Sequence, residues 1–131
     1  MKTVQFIATT FAALSISACA VSEATQALMD EYQRTIPSCA GDRDCQPKWA
    51  AARAWVVQNS DFAIRSESDT RIMATSNIIS QSGMGVTVDR VAADAGGYQI
   101  AVTVECFSAY GCPNLWQAMV GFNQVVNAAQ H

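Results

Sequence analysis

Two segments of the chain, CAGDRDCQPKW and CFSAYGCPNLW, share one spacing: a cysteine, five residues, a second cysteine, then a tryptophan four positions on, with an intervening proline. A chain stapled in this way has little freedom at those two places. Cys39, Cys45, Cys106 and Cys112 form an even set suited to two disulfides in an oxidising compartment. Zinc is the poorer reading, because zinc knuckles place their cysteines two to four residues apart and no histidine helps. The echo is confined to the staples; the stretches between them do not repeat, so duplication and the repeated use of one local device both explain it.

The fifth cysteine, Cys19, lies elsewhere. Met1 and Lys2 give a positive start, and VQFIATTFAALSISA follows as an uncharged run of apolar and small residues, which is the plan of a secretory signal peptide over residues 1–18. The run is shorter than the ~20 residues that span a bilayer as a helix. Ile16-Ser17-Ala18-Cys19 resembles the lipobox of bacterial lipoprotein precursors, with an aliphatic residue and two small residues before a cysteine. The resemblance implies thioether attachment of a diacylglyceryl group to Cys19, cleavage before it, and palmitate-class acylation of the new amino terminus. It also implies sorting by the next residue, and Ala20 is not the aspartate linked with inner-membrane retention. The implied location is thus the outer membrane of a Gram-negative envelope, facing the periplasm. The rival reading is cleavage after Ala20 at Ala18-x-Ala20, which releases a soluble periplasmic or secreted protein starting at Val21.

Residues 19 to 131 suffice for one domain and one core. The formal net charge is −3, more negative once Lys2 is removed, and the remaining basic residues are scattered singly. Nucleic acid is therefore not an expected partner, since phosphate binding needs a basic face. No polybasic patch is present to reinforce a membrane contact.

Within residues 19–38, the lipidated N-terminus leads into either a mobile tether or a helix capped by Ser22, running from Glu23 toward Thr35 and stopped by Pro37. Residues 39–131 read as a single α+β domain. PKWAAARAWVVQNS predicts a helix beginning at Pro47, with Trp49, Ala52 and Val56 at helical spacing. DFAIRS and TRIMATS alternate as a hairpin around a polar SESD turn; VTVDRV and YQIAVTVEC follow, joined by ADAGG. The last strand presents Tyr98, Ile100, Val102 and Val104 to one side. A final helix from near Pro113 carries Leu115, Trp116, Met119, Phe122, Val125 and Val126. The expected fold is a four-stranded antiparallel sheet with helices before and after it on one face. In that order the two helix starts lie at opposite ends of the sheet, ~17–20 Å apart. Disulfides need Cα atoms within ~7 Å, so Cys39 should pair with Cys45 and Cys106 with Cys112. This domain loosely resembles small periplasmic lipoprotein domains of the helix, sheet, helix kind.

Catalytic signals are thin. His131, the sole histidine, is the final residue, a poor place for a Ser/His/Asp or Cys/His set. Asp42-x-Asp44 resembles the opening of a calcium loop, but Arg53 stands where a bidentate glutamate is required, so a solvated acidic turn is the better reading. Asp61, Glu67, Asp69 and Asp89 could supply a carboxylate pair, with solvated surface as the default. No metal and no cofactor is expected. Recognition remains, and the candidate is the loop carrying Phe107, Tyr110 and Gly111 between two cysteines; the commoner alternative is a lid closing over the core beneath Trp116. Trp49 and Trp55 read as core. The expected function is a non-catalytic, lipid-anchored envelope module that binds another envelope protein. The alternatives are an inhibitor or immunity protein against a periplasmic enzyme, and a carboxylate-dependent hydrolase.

Overall fold

The computed structural model describes residues 21–76, 82–112 and 114–130. The leader, Cys19, Pro113, His131 and part of the connection before the long hairpin lie outside them.

Ser22 starts helix α1 (Glu23–Thr35) by accepting a hydrogen bond from the Thr25 amide on its side chain, and Glu23 in the first turn complements the helix dipole. Strand β1 (Ser38–Cys39) follows Pro37, and helix α2 spans Asp42–Asn59. Strands β2 (Ser66–Glu67), β3 (Arg71–Ala74), β4 (Met84–Ala92) and β5 (Tyr98–Cys106) lead to helix α3 (Leu115–Ala128). The sheet is antiparallel with the order β1-β5-β4-β3-β2. The α+β class with a helix-flanked antiparallel sheet and two local disulfides is thus as the sequence predicts.

Three details differ from the expectation. The sheet has five strands, not four, because Ser38 and Cys39 pair with Gln99 and Tyr98. Two residues show no alternation in sequence. Helix α2 begins at Asp42, five residues before Pro47, which lies inside it. Asp42 and Asp44 explain the early start: acids in a first turn face the positive helix end, and the Asp44 carboxylate also accepts from the Ala40 amide at 2.6 Å. They lie in the first turn of a helix rather than in a loop, with Asp42 solvated as an acidic surface residue should be, and Cys45 is buried within the helix rather than preceding it. Finally, of the expected first hairpin arm only Ser66 is strand, joined by Glu67 from the expected turn. Asp61 through Arg65 run irregularly, because the Asp61 amide and carboxylate are both committed to Met84.

The core lies on one face of the sheet. Ile72, Val88 and Val102 are register partners across β3, β4 and β5, and all are buried; Ala74 and Val86 repeat the arrangement. Tyr32 from α1, Ala52, Trp55 and Val56 from α2, and Val120, Phe122 and Val126 from α3 complete a single cluster. All three helices therefore cover the same face. Trp55 meets Phe122 edge to face at 5.3 Å, an arrangement in which the positive edge of one ring meets the negative face of the other. Among the described residues no helix is long and apolar enough to cross a membrane.

Both disulfides form as the topology requires: Cys39–Cys45 with Cα atoms 5.0 Å apart and Cys106–Cys112 with 5.7 Å. They sit at the two ends of β5, since Cys39 pairs with Tyr98 and Cys106 is the last strand residue.

The Tyr32 hydroxyl donates to the Val102 carbonyl at 3.0 Å, and burial raises its pKa above the usual tyrosine value. Tyr32→Phe removes that donor and should lower stability at neutral pH by ~1 kcal/mol. The native state resists ionising Tyr32 while the unfolded chain does not, so its contribution is complete below about pH 10 and declines above it. Urea denaturation at neutral pH and above pH 10 should show the gap between wild type and Tyr32→Phe narrowing with pH; a gap that widens would refute the assignment.

Candidate binding site

At the Cys106 end of β5 the ladder runs one step further, with the Phe107 amide donating to the Gly83 carbonyl at 2.9 Å. The chain then reverses. The Ser108 carbonyl accepts from the Gly111 amide at 3.2 Å, and the Ser108 hydroxyl accepts from the Tyr110 amide at 3.2 Å. Gly111 has a φ of 84°, a left-handed value that costs glycine little. The Cys106–Cys112 bond closes this ring, which restrains the loop before any partner arrives. At its tip Tyr110 is 100% exposed.

Phe107 and Tyr110 therefore do not form a lid beneath Trp116. Trp116 packs edge-on against Tyr32 at 5.7 Å. Phe107 turns the other way, meeting Phe62 edge to face at 5.4 Å and lying over Gly85, where an added Cβ would come within 2.6 Å of its ring. The reason lies in the pleat: Gly85 and Glu105 are register partners on the face opposite the helices, and Phe107 continues that parity.

One hollow adjoins the loop, and a second adjoins the segment that carries Phe62. The first, of about 290 Å³, is lined by Asp61, Ser82, Gly83, Met84, Ser108, Gly111 and Cys112. The other, of about 420 Å³, is lined by Arg53, Val57, Ser60, Asp61, Phe62, Ala63 and Ile64, and Val57 at its edge is 59% exposed. Asp61 borders both. Its amide donates to the Met84 carbonyl at 3.0 Å and its carboxylate accepts from the Met84 amide at 2.6 Å. Ser60 adds a hydroxyl bond to the Ala74 carbonyl at 3.1 Å and accepts from the Phe62 amide at 3.1 Å. Together these bonds pin the irregular segment that carries Phe62.

The remaining sequence candidates are dispersed. Glu67 takes a two-pronged bond from Arg53, at 2.8 and 3.2 Å, which holds its carboxyl below the usual range. Asp89 accepts from Arg71 at 2.6 Å on the open sheet face. Asp69 stands near the turn between β2 and β3. These carboxylates serve the fold's surface, and among the described residues no group of three or more His, Cys, Asp or Glu is placed to hold a metal ion. Trp55 is buried in the core, and Trp49 is half-buried, packing against the core cluster while also bordering a surface hollow. Sequence reasoning missed Asp61 and Phe62 as neighbours of the loop; the DFAIRS alternation drew them into a strand. No family model, no curated protein and no solved structure matches the chain.

The Phe107 ring is held by the gap at Gly85. Gly85→Ala should therefore cost ~1–3 kcal/mol, as overpacked sites do. Most of that cost should vanish in a Phe107→Ala background, because the two residues share one contact. Equal losses in both backgrounds, measured by urea denaturation, would show that Phe107 does not occupy this position.

Proposed function

We propose that this protein is a lipid-anchored component of the bacterial cell envelope, held at the outer membrane through Cys19. There it acts as a non-catalytic binding module that engages another envelope protein through the 106–112 loop. The observation that carries this reading is Tyr110, a large aromatic side chain standing fully in solvent at the tip of a disulfide-closed turn. An exposed tyrosine contributes nothing to its own core, while tyrosines are enriched where proteins meet because their rings bury much area at low entropic cost. The hollow lined by Met84, Ser108, Gly111 and Cys112 gives such a contact a recess beside the turn. The net negative charge and the two disulfides suit a secreted protein of the oxidising envelope. The same protrusion also favours a second reading, an inhibitor whose rigid loop enters the active site of a periplasmic enzyme.

The anchor is tested by mass spectrometry of the mature amino terminus. A diacylglyceryl-modified, acylated Cys19 is the expected species, and an unmodified start at Val21 would remove the anchor from the proposal.

The binding loop is tested by Tyr110→Ala. Its stability should stay within ~0.5 kcal/mol of wild type, as at other exposed sites. Capture of its partner from the protein's own envelope fraction should weaken by ~1–3 kcal/mol, the cost of truncating an interface aromatic. Unchanged capture would transfer the interface elsewhere, and co-purification with a hydrolase whose activity falls on binding would select the inhibitor reading.

A further inference from the structure

At the opposite end of β5 from the loop, α2 presents Asp42, Gln46 and Trp49 at successive helical steps of four and three residues, one stripe on its surface. Across from that stripe stand Asp69, near the turn between β2 and β3, and Arg90 of β4. The five side chains line a cavity of about 250 Å³. Its inner wall is held in place by Arg90. Arg90 is a register partner of Ile100, on the helix-covered face, and its side chain is only 13% exposed. The guanidinium stacks over the Tyr98 ring at 4.2 Å and donates to the Asp42 carboxylate, which is 93% exposed. One turn beyond Trp49 on the same stripe, Arg53 grips Glu67 of β2 and ties the helix to the hairpin.

We propose that this cavity binds a neutral pyranose sugar, with Trp49 as the stacking platform and Asp42, Gln46, Asp69 and Arg90 as hydrogen-bonding groups. The choice of ligand follows from the charges. An anion would meet Arg90 but also the carboxylates of Asp42 and Asp69. A cation would meet those carboxylates and the aromatic ring, but also a guanidinium that does not deprotonate. A neutral polyol meets no opposing charge and can bond to Gln46, Asp69 and the carboxylate oxygen and guanidinium N–H groups that the Arg90–Asp42 pair does not use between themselves. Its hydroxyls donate to the carboxylates and accept from the guanidinium, while the Gln46 amide serves in either sense. Vicinal hydroxyls match the two oxygens of a carboxylate and the fork of a guanidinium. The weakly polarised C–H face of the ring rests on the indole, a contact of the C–H to π kind. The cavity is smaller than the ~300–1,000 Å³ typical of drug-sized sites, which suits a single sugar ring. The site shares no residue with the loop carrying Tyr110, so the proposal stands independently of the function proposed above.

The test is a titration of the ¹⁵N-labelled protein with glucose, galactose, mannose and N-acetylglucosamine, followed by NMR. The expected result is saturable movement of the Trp49 indole N–H and of the amides of Asp42, Gln46, Asp69 and Arg90 with at least one sugar. The indole signals of Trp55 and Trp116 should stay in place. Asp69→Ala and Gln46→Ala, both at exposed positions, should each weaken that binding by about tenfold, the loss expected of one good polar contact. Trp49→Ala should abolish it, and if that variant fails to fold, the two exposed variants decide. The proposal is overturned if no sugar moves these signals, if choline or inorganic phosphate moves them in place of the sugars, or if both exposed variants bind as wild type does.

Discussion

Strand β5 is the element on which the other parts converge. It pairs along its whole length with β4 and at its first residues with β1, and α3 packs across it. The Ile100 amide reaches the Pro37 carbonyl at 2.9 Å, and the Val102 carbonyl receives the Tyr32 hydroxyl. Each end is fastened by a disulfide, one directly through Cys106 and one through Cys39 beside Tyr98. A short chain with one modest core gains from this, because each bridge removes conformations from the unfolded chain at the place where the strand would otherwise fray. The differing surroundings of the bridges match their positions. Cys39 and Cys45 are sealed in the core, whereas Cys106 is exposed and holds a surface loop.

The first helix joins this frame through its final turn. Pro37 ends α1, so the last carbonyls have no amide partners further along the helix. Two asparagines one helical turn apart on α3 supply them. Asn123 donates to the Tyr32 carbonyl at 3.0 Å and to the Thr35 hydroxyl at 3.1 Å; Asn127 donates to the Thr35 carbonyl at 2.8 Å. Asn123 is completely buried, and among the described residues its side-chain oxygen has no hydrogen-bond partner. The orphaned oxygen costs free energy, yet an apolar residue there would leave the Tyr32 carbonyl without this donor. This polar contact therefore fixes where α1 docks, in a region where Leu28 and Ile36 are only partly buried and packing alone is a weak guide.

How much of this is legible in the sequence depends on whether a feature is local. Strand β5 is readable to its ends because its inward positions are apolar and the others are not, and α1 is readable because Ser22 and Pro37 mark both ends. Helix α2 is readable in its middle and not at its start, since Pro47 points to a first turn, where proline is favoured, yet lies inside the helix in its second turn. Two-residue strands carry no periodicity, so β1 and β2 are visible only through partners far along the chain. The same limit governs the site. Tyr110 and the closed loop are evident from the cysteine spacing, but Phe62 and Gly85, which decide where Phe107 points, are joined to it by register alone. Arg90 is the plainest case. It stands on the core-facing parity of β4, where sequence pattern calls for an apolar residue, and its charge is tolerated because Asp42 and the Tyr98 ring meet it at the sheet's end.

The placement of Arg90 and Phe107 puts the two proposed sites at opposite ends of the molecule. Eight residue steps separate Tyr98 from Cys106, roughly 27 Å of extended strand, so the Trp49 cavity and the Tyr110 loop lie farther apart than the ~7–10 Å within which substitutions usually couple. Between them runs the best-packed part of the protein, the Val88–Val102 and Ile100 positions under Phe122, where close packing resists graded deformation. That packing opposes the passage of a shape change from one end to the other. What the two ends share is a spacing set by one strand, and that geometry would let the domain hold two different molecules at once.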